Sequence, residues 1–110
     1  MTLAEFEQQI FEVALNSPLC GIPAVRRLTP TSISLRISTS AGTFIDAFYN
    51  EQTSTMAYAL IHKGQRVFGA DNTGGWHVHP FADPARHEPS PTPVSFSYFV
   101  AEIELHESDS

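Results

Sequence analysis

The sequence predicts a single α+β domain over residues 1–110: an N-terminal helix, a four- to five-stranded antiparallel β-meander, a His/Pro-rich loop and a C-terminal helix. Three observations predict it. Apolar residues recur every three or four positions at the N-terminus, the period changes to two from residue 31, and 110 residues suit one core rather than two. A chain of this length buries roughly 65% of the surface its unfolded form exposes, enough for a core without metal or disulfide staples.

Leu3, Phe6, Ile10, Val13 and Ala14 form one apolar stripe, so residues 3–15 read as an amphipathic helix. Thr2 and Glu5 supply the T-x-x-E capping box at its start, and Asn16, Ser17 and Pro18 end it. Across 24–70 the pattern is that of an antiparallel sheet. Ile33, Leu35 and Ile37 alternate with Ser32, Ser34, Arg36 and Ser38, one face for a core and one for water. Val25–Leu28 precedes this strand as its partner. Residues 43–49 and 55–61 are apolar on both faces and belong in the middle of the sheet. Ser40-Ala41-Gly42 marks a turn, and Lys63-Gly64 marks a two-residue hairpin that returns Gln65–Ala70 as the next strand.

Residues 71–93 change character. They hold three of the five histidines, five of the eight prolines and the only Gly-Gly pair, a composition that predicts an irregular loop. Residues 94–105 read as a helix through Phe96, Phe99, Val100 and Ile103, with Thr92 as cap and Pro93 at the first position. A strand competes, because Val94, Phe96, Tyr98 and Val100 also alternate; Ala101, Glu102 and Glu104 favour the helix. A frayed tail is expected after His106.

Six Lys and Arg against 12 Asp and Glu leave a formal charge of −6, which argues against broad, phosphate-driven nucleic-acid binding. Action on nucleic acid would need a local site. Cys20 is the single cysteine, so no internal disulfide and no CxxC zinc knuckle is expected, and a reduced, cytoplasmic setting fits. The first helix carries Glu5, Glu7 and Glu12 and no basic segment, unlike a signal peptide, and no apolar run approaches the ~18 residues of a membrane span.

The run DNTGGWHVHPFADPARH, residues 71–87, carries the candidate chemistry. On an extended segment His77 and His79 point to the same side, roughly 6.5–7 Å apart at Cα. Two imidazoles at that spacing can converge on one ion or one phosphate. Asp71, Asp83 and His87 are candidates for a third ligand, and a His/carboxylate set suits a divalent transition metal better than calcium. The metal-free alternative uses one His as base and another as acid, since imidazole titrates near neutral pH. The bland alternative is a set of ordinary hydrogen-bonded histidines. Asp71-Asn72 with Gly74-Gly75 reads as a turn or as a concavity of backbone N–H groups for an anion. Trp76 reads as a lid over the core or as a surface for stacking a base. Asp83-Pro84 reads as a cap and the first residue of a short turn, and Cys20 as a small packed hydrophobe. P-loop, GxSxG and HExxH motifs are absent.

The order of a strand through Arg66, Val67 and Phe68, then Asp71-Asn72, a His-rich run, a Pro-containing stretch and a final amphipathic helix resembles the TumE family of toxin-antitoxin proteins. The resemblance spans residues 31–104, and its specific part is 66–87. Asp71 and Asn72 match that family's strand-closing pair, and His77, His79 and His87 occupy the region of its histidines. Adjacent His-His pairs are common in the family, whereas WHVHPF separates them here. The resemblance implies a meander with flanking helices and a growth-inhibiting toxin bound by a helix-turn-helix antitoxin encoded nearby. On that basis the expected function is a cytoplasmic toxin acting on RNA, a ribonuclease-type enzyme. Asp71, His77, His79 and His87 would be catalytic, and Asn72, Gly74, Gly75 and Trp76 would bind. Two alternatives stand beside it: a non-catalytic module holding a transition metal on His77, His79 and His87, and an interaction module whose aromatic sheet face and proline-rich loop hold a partner, with a homodimer as one such pairing.

Overall fold

The computed structural model describes residues 1–109. The elements are α1 (Leu3–Leu15), β1 (Ala24–Leu28), β2 (Ser32–Ser38), β3 (Phe44–Asn50), β4 (Thr55–His62), β5 (Gln65–Asp71), β6 (His77–His79), β7 (Glu88–Pro89) and α2 (Phe96–Ser108). The strands form one open sheet in sequence order, and every neighbouring pair is antiparallel. This is the expected α+β meander flanked by two helices.

Local chemistry explains the joints. Thr2 and Glu5 exchange the reciprocal capping bonds, with the Glu5 amide donating to Thr2 Oγ1 at 3.1 Å and the Thr2 amide to Glu5 Oε1 at 2.8 Å. Lys63 and Gly64 take φ values of 50° and 78°, the paired positive angles of the two-residue turn whose twist matches the strands. Alternation then sends Ile33, Leu35, Ile37, Ile45, Ala47, Tyr49, Tyr58, Leu60, Phe68 and Ala70 to one face of the sheet, where they join the core. Both helices cover that face: Phe6 stacks on Tyr49, and Phe99 packs against Tyr58 and Phe68. Ser17 donates to Glu104 at 2.8 Å and ties the end of α1 to α2. Cys20 pairs with Thr39 through an isolated antiparallel backbone bridge; its half-buried thiol packs beside the core, and burial pushes the thiol pKa up from its usual range.

Three expectations are corrected. The sheet has seven strands rather than four or five, because β6 and β7 form inside the segment expected to be an irregular loop. Without them the outer edge of β5 would expose a row of backbone donors and acceptors. The chain is extended before Pro80, and Pro89 sits on the terminal strand, where a missing N–H costs no ladder bond. The C-terminal segment is a helix as expected, and the alternating strand pattern fails at Tyr98, which is 55% exposed. The cap is Ser95, accepting from the Tyr98 amide at 3.1 Å, and not Thr92. Val94 is buried before the helix begins, so the helix starts at Phe96 and runs past His106 to Ser108.

Candidate functional site

The face of the sheet opposite the helices carries the histidines. In the β5–β6 register, Gly69 pairs with His79, Ala70 with Val78 and Asp71 with His77. Ala70 points into the core, so Gly69, Asp71, His77 and His79 share the other face. Between β6 and β7, Val78 pairs with Glu88 and His77 with Pro89. One further step of that register brings His87 across from His79. The three imidazoles accordingly gather, with ring centroids 5.1 Å (77 to 79), 5.0 Å (77 to 87) and 4.4 Å (79 to 87) apart.

Asp71 organises them. Its Oδ1 accepts from the Thr73 amide at 3.1 Å and lies 3.1 Å from His77 Nε2, while its Oδ2 lies 3.3 Å from His79 Nε2. Nδ1 of His77 is 3.2 Å from the Gly75 carbonyl, so both nitrogens of that ring face oxygens. A ring carrying both protons donates to both; a neutral ring can donate to only one. His79 is 2% exposed and is the only buried polar or charged side chain among the described residues. Its Nδ1 has no hydrogen-bond partner. Burial lowers its pKa from the ordinary 6.5, assisted by the positive charge of Arg66 and by His87, while Asp71 opposes the shift. His87 is exposed.

Two residues absent from the sequence-based candidates shape the site. A Cβ on Gly69 would lie 3.2 Å from the Tyr58 carbonyl and 3.4 Å from the His79 ring, so glycine lets the imidazole settle against β5. Arg66 reaches across to the Pro84 carbonyl at 3.1 Å and braces the loop that returns His87. Arg66 stands three residues before Gly69 at the exposed start of β5, and its position in the sequence does not announce a contact with that loop.

Apart from the Gly75 carbonyl against His77, the remaining candidates are placed elsewhere. Asn72 reaches toward β4: its Oδ1 accepts from the Met56 amide, and its Nδ2 donates to the Ser54 carbonyl, both at 2.8 Å. Gly74 and Gly75 have φ of 70° and 104°, and the Gly75 amide donates to the Asn72 carbonyl at 3.1 Å, which is a turn. Trp76 packs against the core and stacks on Tyr58 at 6.4 Å. Asp83 lies exposed in a turn closed by the Arg86 amide at 3.0 Å, and the convergent group is His77, His79 and His87 without it. Arg86 pairs with Glu88 next to the cluster. The arrangement presents one buried and two reachable imidazoles held by a carboxylate, able to exchange protons with a bound substrate or to share a cation.

No protein-family model matches the chain, and neither the curated proteins nor the solved structures include a significant match. Among the described residues, no helix is long and apolar enough to cross a membrane.

Proposed function

We propose that this chain is a TumE-like toxin of a toxin-antitoxin pair that cleaves RNA in the cytoplasm at the Asp71/His77/His79/His87 cluster. The observation that carries the reading is the single carboxylate, Asp71, positioned against two imidazoles with a third ring 4.4–5.0 Å away. His87 is exposed and reachable, and acts as the base that takes the 2′-hydroxyl proton. The 2′-oxygen then attacks the adjacent phosphorus and the 5′-oxygen leaves. His77, flanked by acceptors on both nitrogens, carries the proton that goes to that oxygen, yielding a 2′,3′-cyclic phosphate and a 5′-hydroxyl. His79 is too buried to meet substrate and, with Asp71, sets the position of its neighbours. Arg66 supplies local positive charge beside His79 in a chain that is otherwise acidic.

The partner in this reading is a helix-turn-helix antitoxin encoded nearby. Ile22, Val25 and Leu28 stand exposed at the unpaired β1 edge and give it an apolar surface to cover; a homodimer through that edge would show instead as a dimer in sedimentation. The test is induced expression with and without the neighbouring frame, together with incubation of purified protein with RNA. Growth arrest relieved by the neighbour, with cyclic-phosphate ends on the products, is the expected result. Unimpaired growth and intact RNA would refute the reading.

A further inference from the structure

We infer that His77, His79 and His87 form a binding site for one divalent first-row transition ion of the zinc class, with Asp71 as an outer support. One ligand nitrogen from each residue lies within 4.8 Å of the other two. Tetrahedral coordination at ~2.0–2.1 Å puts nitrogens about 3.3 Å apart, so a modest closure is needed. The exposed His87 supplies it, since it stands just before β7, at the end of the loop that leads from β6.

A second observation points to the ion independently of that proximity. His79 is 2% exposed and its Nδ1 has no partner. Because Nε2 of the same ring faces the Asp71 carboxylate at 3.3 Å, the proton belongs on Nε2 and Nδ1 carries a buried lone pair. A buried acceptor left unpaired is costly, and the rings packed against His79 are two more imidazoles, with centroids 5.1 and 4.4 Å away. A cation held by all three resolves the mismatch, with His77 exchanging one of its two oxygen contacts, to Asp71 or to the Gly75 carbonyl, for the ion.

The chemistry of the donors selects the ion. Neutral imidazole suits zinc, copper, nickel and iron, whereas calcium and magnesium take oxygen ligands. A carboxylate on the far nitrogen of a metal-bound histidine is the usual way such a ring is oriented and made more basic, and Asp71 stands in that relation to His79. Three protein ligands with an exposed one among them leave a fourth position to water, the open pattern rather than the closed four-ligand structural one.

The site does not rest on the RNA reading. A bound ion would occupy nitrogens that the proposed cleavage uses for proton transfer, so zinc should inhibit cleavage.

The test uses untagged, chelator-stripped full-length protein titrated with zinc by calorimetry and with cobalt by visible absorption. One equivalent bound, with a cobalt spectrum of a nitrogen-rich four-coordinate site, is expected. His87→Ala should weaken binding at least tenfold, and Asp71→Asn by 10- to 100-fold, the usual cost of losing such a support. Because His79→Ala could unfold the site, the exposed His87 variant carries the test, with far-UV circular dichroism as the folding control. Less than about a tenth of an equivalent bound, or binding unchanged by His87→Ala, would overturn the inference. Ion binding in a protein that leaves RNA intact keeps the metal site and removes the RNA reading; RNA cleavage without ion binding does the reverse.

Discussion

The two faces of the sheet are buried by different means. On the helix-covered face, burial is aliphatic and aromatic throughout, and Phe99 sits at its centre, fully buried against Tyr58, Phe68 and Phe96. On the opposite face at β5–β6 the buried group is an imidazole, His79, with one nitrogen on Asp71 and the other unmatched. Apolar burial is graded and forgiving, because dispersion and area add over many neighbours. Polar burial is a matter of discrete partners, and one missing partner is a free-energy cost that stability alone does not explain. The first face accounts for why the chain folds; the second is where it departs from what folding requires.

Substitutions on the two faces should therefore separate stability from chemistry. His87→Ala, on an exposed ring, should lower RNA cleavage by about 10²–10⁴-fold, the usual contribution of a general base, while leaving the urea midpoint unchanged. Phe99→Ala should do the opposite, costing about 3–5 kcal/mol in urea denaturation through loss of buried surface and a cavity. If His87→Ala destabilises as much as Phe99→Ala, the division between the faces is wrong. A smaller effect is expected at the joint between them. Asn72→Ala removes two side-chain bonds, one to Met56 of β4 and one to Ser54 just before it, and should cost roughly 1–3 kcal/mol, measured in the same way. Ser95→Ala removes the cap of α2 and should cost about 1 kcal/mol.

The pH dependence sharpens the comparison by sign. His79 is held below its ordinary 6.5, so the unfolded chain takes up that proton first as pH falls. Its contribution to stability is complete above about pH 6.5 and is lost as pH drops through the window beneath that value. Asp71, Arg66, His77 and His87 are the groups facing it. A urea series from pH 8 to 5 checks this: His79→Gln should flatten the slope, whereas Phe99→Leu should leave it in place.

The elements that were legible in the sequence are those whose signals are local. Thr2 and Glu5 announce α1, the Ile33-Leu35-Ile37 alternation announces β2, and Lys63-Gly64 announces its hairpin, because each signal lies within a few residues of what it controls. The Asp71, His77, His79 and His87 candidates were legible as residue types, and the structure places them together. What was hidden depends on distant pairing. β6 and β7 are too short to carry a period and exist because β5 needs a partner. Gly69 and Arg66 act on a histidine and a loop ten or more residues away, and Asn72 completes β4 from 16 residues further along. The capping of α2 by Ser95 rather than Thr92 goes with the burial of Val94 ahead of the helix, which no capping pattern contains.

Long-range proton–nitrogen NMR of the histidine rings, recorded at pH 7.5 before and after addition of one equivalent of zinc, tests the convergence of the three imidazoles most directly. The account predicts a single His79 tautomer with its proton on Nε2, and zinc-induced shifts on one nitrogen each of His77, His79 and His87 but not of His62 or His106. A protonated Nδ1 on His79, or three rings that respond to zinc no more than His62 does, would contradict it.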